Sequence, residues 1–295
     1  MEFVLQTTDL CKKYGTQMAV DHVNMNIAKG DIYGFVGENG SGKTTIIRMI
    51  TGLITPYSGS FKLFGVENKD PKIGQVRRNV GAVVETPSIY LNMTAKDNLW
   101  MQAQILGITQ EEKILQTLET VGLAYVYEDK KKASNFSLGM RQRLGIAMAL
   151  LGDPQFLILD EPMNGLDPAG IVEIRELILN LNRKGITFLI SSHILTELSL
   201  VANKYGIISK GKLLQEITAQ QLHDSCGKHL HLKAKDAEAL AQLARELLPE
   251  NPVVVAGGVV KISGDVDLNA FLKAVIDSGN ALESVNCTET GFEEY

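Results

Sequence analysis

The sequence predicts an α/β fold, in which helices cover a mixed and mainly parallel sheet, followed by a small α+β domain. Over residues 1–220, short apolar runs alternate with amphipathic stretches, a pattern typical of a parallel sheet between helices. After residue 228 the glycine-rich motifs stop and shorter strand and helix patterns follow. At about 150 residues per domain, 295 residues allow two domains or one large one. Since the pattern changes near residue 228, we expect a first domain over 1–220 and a second over 228–295.

Apolar runs mark the predicted strands of the core sheet, which are Ile32–Val36, Val80–Val84, Phe156–Asp160 and Ile186–Ser191. A different pattern precedes them, since Val23, Met25 and Ile27 alternate with asparagines. Alternation at period two is typical of a strand with one face in water. We therefore expect an antiparallel strand there and a mixed sheet overall.

Helical patterns follow the second of these strands and end before the third. Thr94 precedes Asp97, and Thr109 precedes Glu112, in each case by three residues. A threonine with a carboxylate three positions later is the signature of a capped helix start. We expect helices that begin there and, because the block separates two core strands, a helical lobe of about residues 90–152 beside the sheet.

The C-terminal domain has a strand and helix order of its own. Its apolar patterns follow the order β-α-β-β-α-β, which is that of a split βαβ domain. The predicted strands are 229–234, 253–255, 259–262 and 282–287, and the predicted helices are 237–248 and 268–276. Nothing in this domain resembles a catalytic pattern.

The charge balance argues against a protein that binds nucleic acid. The chain has 29 lysines and arginines against 34 aspartates and glutamates, which gives a net charge of −5. Binding by counterion release requires clustered basic residues, and the longest basic run is only Lys130–Lys132. We expect no nucleic acid partner.

The cysteines and the apolar runs indicate the compartment. Cys11, Cys226 and Cys287 are far apart and form no CxxC pair, so their spacing matches neither a zinc site nor a disulfide framework. We therefore expect a protein of the reducing cytosol. No apolar run reaches the roughly 18 residues of a membrane span, and the first residues lack a signal-peptide core. Any role at a membrane therefore requires a partner protein.

The segment from Gly37 to Thr44 matches the phosphate-binding pattern G-x-x-x-x-G-K-[ST]. It follows a predicted strand and precedes residues with helical spacing, as the pattern requires. Backbone N–H groups of such a loop and the helix N-terminus attract anions, while Lys43 offers a cation to the β- and γ-phosphates and Thr44 a ligand to Mg²⁺. The predicted nucleotide-binding residues are Gly37, Asn39, Gly40, Ser41, Gly42, Lys43, Thr44 and Thr45.

Adjacent carboxylates follow the third apolar run. In open α/β sheets, ligands bind beyond the carboxyl ends of the strands, so Asp160 and Glu161 should lie at the phosphate site. Neighbouring strand residues point in opposite directions, and the two acids therefore take different roles. One can hold Mg²⁺ through water, and the other can polarise an attacking water.

A further candidate phosphate site lies at Ser137–Gln142. Ser137 is a predicted helix cap, and its hydroxyl, together with the N–H of Gly139 at a helix N-terminus, can bind phosphate. One chain can hardly fold this site onto the first if the two lie on separate lobes. The site therefore suits the nucleotide of a neighbouring chain.

These motifs together resemble those of the ATP-binding cassette (ABC) ATPases, the motor subunits of membrane transporters, over residues 3–216. The order of the motifs matches the family throughout. An aromatic residue near the start is followed by the phosphate loop, the signature at Ser137, the paired acids, and a histidine after two serines. The resemblance implies a P-loop NTPase fold with an inserted helical lobe, with ATP and Mg²⁺ as cofactors.

The same resemblance assigns roles to individual residues. Lys43, Glu161 and His193 are the implied catalytic residues, with Glu161 as the base and His193 in contact with the γ-phosphate. Tyr14 is expected to stack on adenine, and Asp167 is expected to lie across a dimer interface.

Departures from the usual family pattern narrow the resemblance. Glu85 stands where the family usually has glutamine, and residues 137–140 read Ser-Leu-Gly-Met in place of the usual Ser-Gly-Gly-Gln. Both variants resemble the bacitracin and lantibiotic resistance branch. The implied metal residues are Thr44, Glu85 and Asp160, with Glu85 facing the metal and the permease.

The resemblance implies an ATP-hydrolysing subunit that forms a head-to-tail homodimer and drives a separate transmembrane permease at the cytoplasmic face of a bacterial membrane. The branch implies export of antimicrobial peptides or similar amphipathic compounds. The alternative is a soluble, non-transport ABC ATPase acting on ribosomes or DNA. Such proteins usually carry two cassettes or a long coiled-coil insertion, whereas this chain has one phosphate loop. A P-loop kinase would leave Ser137–Gln142 and His193 unexplained.

Overall fold

The computed structural model describes residues 2–225, 227–264, 266–280 and 282–290. The chain divides into two compact units, Met1–Thr218 and Ala219–Tyr295. The end of the first unit is two residues before the predicted bound of 220. Residues 291–295 of the predicted second domain lie outside the described residues.

The first unit alternates strands and helices. Its strands are β1 (Phe3–Tyr14), β2 (Gln17–Val23), β3 (Asn26–Ala28), β4 (Ile32–Val36), β5 (Ser58–Leu63), β6 (Val66–Glu67), β7 (Val80–Val83), β8 (Phe156–Asp160), β9 (Thr187–Ser192), β10 (Lys204–Ser209) and β11 (Lys212–Thr218). Its helices are α1 (Lys43–Thr51), α2 (Ile73–Val76), α3 (Ala95–Leu106), α4 (Glu111–Thr120), α5 (Leu138–Leu150), α6 (Pro168–Arg183) and α7 (Leu195–Ser199). Short 3-10 turns cover Arg77–Asn79, Ala124–Val126 and Ala133–Asn135.

The core sheet has the strand order β11-β10-β4-β9-β8-β7. All its pairings are parallel except that of β10 with β11, which makes the sheet mixed as predicted. Every residue of β8 and β9 is buried, as expected for strands that are covered on both faces. The buried apolar residues of α1, including Ile46 and Ile50, belong to the same core as Phe35 and Phe156 of the sheet.

A separate antiparallel sheet contains β2-β1-β5-β6, with β3 paired to β1. The single strand predicted over residues 23–27 is wrong, because two strands, β2 and β3, replace it and join this sheet instead of the core sheet. The side chain of Asn24 explains the break. Its carbonyl oxygen accepts from the Asp9 N–H at 2.8 Å, and its amide donates to the His22 carbonyl at 3.2 Å. Such local side-chain bonds to the backbone compete with a regular ladder.

The helical lobe contains α3, α4 and α5, and its first predicted cap is confirmed. The Thr94 hydroxyl accepts from the Asp97 N–H at 3.1 Å, and the Asp97 carboxylate accepts from the Thr94 N–H at 3.3 Å. The predicted cap at Thr109 is wrong, since α4 begins at Glu111 without a side-chain cap. Glu111 instead accepts hydrogen bonds from Lys96 and Tyr127, which lower the pKa of its carboxyl and fix the first turn of α4.

The second unit is an α+β domain of the predicted β-α-β-β-α-β order, preceded by one helix. In chain order its elements are α8 (Ala219–Ser225), β12 (Gly227–Ala234), α9 (Ala237–Leu247), β13 (Val253–Ala256), β14 (Val259–Ser263), α10 (Leu268–Asp277) and β15 (Leu282–Thr290). The strands form an antiparallel sheet in the order β13-β14-β12-β15. Buried residues of both long helices, such as Leu240 and Phe271, pack on Leu232 and Ile262 of the sheet.

None of the helices in the described part of the chain combines the length with the apolar composition of a membrane span.

Candidate nucleotide-binding and catalytic site

The predicted phosphate loop connects β4 to the first residue of α1. Lys43 begins α1 and is buried, and its Nζ donates to the carbonyl oxygens of Gly37 at 2.5 Å and Glu38 at 3.2 Å. The buried Oγ of Ser41 has no hydrogen-bond partner. A buried cation and a free hydroxyl on one loop, at the N-terminus of a helix, are suited to hold phosphate oxygens.

Close packing explains why glycine occupies two positions of the loop. A Cβ on Gly37 would lie 2.2 Å from the Ile208 carbonyl oxygen, and a Cβ on Gly42 would lie 2.7 Å from that of Ala19. Gly42 also has φ of 111°, which strains any other residue. The loop is therefore held between the backbones of β2 and β10. Asn39 and Gly40 at its tip are exposed.

The strand register brings the first predicted acid to this loop. Asp160 pairs with Ser191, and Ser192 pairs with Val36 at the end of β4. Asp160 is 2% exposed. One of its carboxylate oxygens accepts from the Thr44 hydroxyl at 2.8 Å, and the other accepts from the Ser191 hydroxyl at 2.5 Å.

The second acid lies between two of the other predicted catalytic side chains. One carboxylate oxygen of Glu161 is 3.4 Å from Lys43 Nζ, and the other is 2.8 Å from His193 Nδ1. Glu161 also has φ of 50°, an uncommon value for a residue with a side chain. This turn after β8 lets consecutive acids aim differently, so that Asp160 bonds Thr44 while Glu161 meets Lys43 and His193.

Ser191 is a site residue that the sequence reasoning missed. Besides its bond to Asp160, its hydroxyl accepts from the Glu161 backbone N–H at 2.9 Å. It therefore links the two acids. Ser191 could have been found from the sequence, because it ends a predicted strand and belongs to the serine pair before His193.

Ser137, Gly139 and Asp167 line a different cavity, of about 470 Å³, together with Leu138 and Leu166 among others. Ser137 caps α5 by accepting from the Met140 N–H at 3.2 Å, as predicted. Asp167 caps α6 by accepting from the Gly170 N–H at 3.1 Å. Both side chains thus lie at helix N-termini on one surface of the first unit.

Glu85 and Tyr14 have other surroundings. The Glu85 side chain is 56% exposed, and its carboxylate is 2.5 Å from a guanidinium nitrogen of Arg48 on α1. The sequence reasoning missed Arg48, because nothing in the pattern of α1 marks it. Tyr14 is 49% exposed at the end of β1, with Lys12 Nζ 5.4 Å from the centre of its ring.

The fold and this cluster define the class of the protein: it is a P-loop ATPase, with a phosphate-binding loop, a strand-end acid pair and an inserted helical lobe. A family model described as ABC transporter matches residues 20–164. The bacitracin transport ATP-binding protein BcrA of Bacillus licheniformis is 43% identical to this chain over 298 aligned residues. The alignment covers 100% of this chain and 96% of that protein.

The lantibiotic transport ATP-binding protein SrtF of Streptococcus pyogenes is 44% identical over 213 residues, with 72% of this chain and 90% of that protein covered. The solved structure of cbiO1 from Clostridium perfringens aligns with a TM-score of 0.68 at 24% identity, over 84% of this chain and 97% of that one, which shows the shared fold.

The chain belongs to the ABC transporter family of ATPases. It is an ATP-binding and ATP-hydrolysing subunit, as the motifs predicted. The alternative of an ATPase acting on ribosomes or DNA is not favoured, because the similar proteins are transport ATP-binding proteins.

Proposed function

We propose that the chain powers a membrane exporter of bacitracin-like or lantibiotic-like antimicrobial peptides. It works with a separate permease at the cytoplasmic face of a bacterial membrane. The main support for this proposal is that Glu161 contacts both Lys43 and His193. This group lies next to the hydrogen-bonded pair of Thr44 and Asp160. The choice of cargo is supported by the names of the relatives, BcrA and SrtF.

Resistance of living cells tests the cargo. The chain, expressed with its permease in a bacterium without its own bacitracin exporter, should raise resistance to bacitracin or a lantibiotic, whereas the Glu161→Gln variant should not. If the cells gain resistance to neither peptide although the protein hydrolyses ATP, the cargo assignment is wrong and the motor function stands.

The phosphate loop binds the nucleotide phosphates, and its Thr44 binds Mg²⁺ together with the strand-end residue Asp160. Lys43, Ser41 and the loop N–H groups hold the β- and γ-phosphates, and Tyr14 stacks on adenine. Thr44 and Asp160 hold Mg²⁺, since their hydroxyl and carboxylate oxygens, 2.8 Å apart, are the hard ligands that this ion prefers. An Mg²⁺ ion held by these two residues would neutralise phosphate charge during transfer.

Glu161 acts as the general base. Its carboxylate lies between the Lys43 ammonium and the His193 imidazole, which fix its position. A carboxylate held in this way can accept the proton of an attacking water at the γ-phosphate. His193 then orients Glu161 and contacts the γ-phosphate through its other ring nitrogen.

Ser137, Gly139 and Asp167 bind the nucleotide of a second copy in a head-to-tail dimer. Their cavity is formed at the N-termini of α5 and α6, where partial positive charge favours phosphate. Residues of both copies then enclose each of two ATP molecules.

Ser137→Arg should block this dimer, because a long cation replaces the hydroxyl at the interface. ATP binding to each monomer should survive, and light scattering with MgATP should show no dimer. Ser58→Arg, at the exposed first residue of β5, is the matched control. Mixing Ser137→Arg with Lys43→Ala restores one complete site per pair and should recover part of the association. Absence of recovery at every mixing ratio would contradict a shared site.

The permease contacts a groove beside Glu85. This cavity of about 440 Å³ lies between the core sheet and the helical lobe, and Val84, Thr86 and Pro87 on either side of Glu85 line it. Arg77 and Arg78 also line it, and burial lowers the pKa of Arg77. A loop of the permease in this groove would reach both the lobe and the segment that carries Glu85.

Glu85→Gln should retain most of the basal hydrolysis but weaken the stimulation by the permease. The ion pair that it breaks with Arg48 is exposed and contributes only about 0.2–1 kcal/mol, so the fold should persist. Glutamine keeps an oxygen for the metal but removes the charge. The measurement is ATP hydrolysis with and without the permease in lipid vesicles.

Glu67→Gln, at the exposed position of β6, is the control and should change neither rate. If Glu85→Gln stops basal hydrolysis as completely as Glu161→Gln does, Glu85 takes part in the chemical step. The assignment of Glu85 to the permease contact and of Glu161 alone to water activation would then be wrong.

A further inference from the structure

A β-bulge interrupts the pairing of β1 with β2. Leu10 pairs with Val23, but the next pair is Lys12 with Val20, so two residues of β2 face one of β1. Bulges re-aim side chains that would otherwise alternate between faces. Here the one residue is Cys11, and the residues opposite it are Asp21 and His22.

The bulge brings three different donor groups together. His22 has φ of 51°, and its Nδ1 lies 2.6 Å from a carboxylate oxygen of Asp21. Its backbone N–H donates to Cys11 Sγ at 3.2 Å. The candidate ligand atoms of Cys11, Asp21 and His22 all lie within 4.8 Å of one another.

The cluster is open to solvent on one side. Cys11 is 1% exposed, whereas the side chains of Asp21 and His22 are 25% and 69% exposed. An ion could therefore enter past the imidazole and meet the sulfur at the base. Water could complete its coordination.

We propose that Cys11, Asp21 and His22 form a binding site for a divalent transition-metal ion, for which Zn²⁺ is the best fit. Sulfur, imidazole nitrogen and carboxylate oxygen are the ligands that Zn²⁺ takes in proteins, with water as the fourth. Bond lengths of about 2.0–2.3 Å place tetrahedral ligands roughly 3.5 Å apart. The separations of up to 4.8 Å among the ligand atoms would therefore shorten by about 1 Å, and the 2.6 Å between His22 Nδ1 and the Asp21 oxygen would lengthen by about as much.

The donor set separates this site from the magnesium site of the proposed function. Thr44 and Asp160 offer only oxygen, which suits Mg²⁺, whereas thiolate and imidazole favour zinc and its neighbours in the transition series. Lys212 Nζ, 3.3 Å from the second Asp21 oxygen, can keep that contact while the first oxygen binds metal. The ion takes the place of the hydrogen bond between Asp21 and His22.

The charge balance of binding is defined. The Cys11 thiol loses its proton to solvent as the sulfur–metal bond forms, and the proton of the Asp21–His22 hydrogen bond moves to His22 Nε2, which leaves the Nδ1 lone pair for the ion. About one proton should therefore be released per ion bound. No electron is transferred, and no further reactant is needed.

Co²⁺ is a suitable probe, because thiolate ligation gives it a charge-transfer absorption band in the near ultraviolet. We expect the band when Co²⁺ is added to the full chain carrying Cys226→Ser and Cys287→Ser, without nucleotide, and its loss when Zn²⁺ is added. Cys11→Ser should abolish the band. His22→Gln should weaken Co²⁺ binding tenfold or more, since even outer-shell changes cost about 10- to 100-fold. Asp160→Asn, the control at the ATP site, should leave the band unchanged.

Thermal unfolding supplies the second measurement and shows whether each variant folds. Zn²⁺ should raise the melting temperature of the parent chain, because a ligand that binds the folded state stabilises it, and should do so less in Asp21→Asn and His22→Gln. A parent chain without the band, or wild-type Co²⁺ affinity in folded His22→Gln, would overturn the proposal. The cluster would then be a hydrogen-bonded bulge only.

Discussion

Replacing Glu161 by glutamine is expected to slow ATP hydrolysis by a factor of roughly 10² to 10⁴ and to leave ATP binding intact. The amide cannot accept the proton of the attacking water, which raises the barrier by about 3–5 kcal/mol. Glutamine has the size of glutamate, so its side-chain oxygen can still accept a hydrogen bond from His193. In the present structure, His193 Nδ1 lies 2.8 Å from the Glu161 carboxylate. The neighbouring bonds of Asp160 to Thr44 and Ser191 do not involve the altered group.

The stalled variant should accumulate as a dimer with MgATP, because in the proposed cycle ATP binding closes the dimer and hydrolysis opens it. Phosphate release measures the rate, and light scattering measures the dimer. Glu67→Gln again serves as the matched control. Hydrolysis at the wild-type rate by Glu161→Gln would remove this residue from the role of base.

Lys43→Ala is expected to weaken ATP binding by a factor of 10² or more. Each hydrogen bond between charged groups contributes about 1.5–3 kcal/mol, and Lys43 can make such bonds to two phosphates. The loss of its Nζ also leaves the Glu161 carboxylate, 3.4 Å away, without this cation. The uncompensated carboxylate would then repel the γ-phosphate.

Titration with a fluorescent ATP analogue measures this affinity, and Lys62→Ala, on the exposed side of β5, is the control. Wild-type affinity in Lys43→Ala would place the phosphates elsewhere in the chain. The cavity at the start of α5 would then be the next candidate.

Strands of the core sheet could be predicted where burial alone determines them. Ile32–Val36 and Phe156–Asp160 have the predicted bounds, because strands buried on both faces read as unbroken apolar runs. The segment near Asn24 could not be predicted in the same way. Its apolar alternation is real, but the bond of Asn24 to the Asp9 N–H depends on how β1 pairs with the segment, which the local pattern does not reveal.

The candidate site shows a similar division. Asp160 and Glu161 lie at the phosphate loop as predicted, since parallel register aligns the carboxyl ends of β4, β9 and β8. The pairing of Glu85 with Arg48 could not be predicted, because it depends on the Glu85 backbone, whose φ is 61°. The roles assigned to these residues remain predictions, which the variants above test.

The Ser191 hydroxyl has a consequence for the energy of reorganisation during a catalytic cycle. By accepting from the Glu161 N–H and donating to the Asp160 carboxylate, it fastens both acids to β9, which is buried throughout. Groups that are already oriented before the substrate arrives need not be ordered during the reaction, and such preorganisation is a major source of catalytic rate. If the two copies open and close as proposed, the acids keep their spacing throughout, so that each closure restores the same arrangement of charge without a search among side-chain conformers.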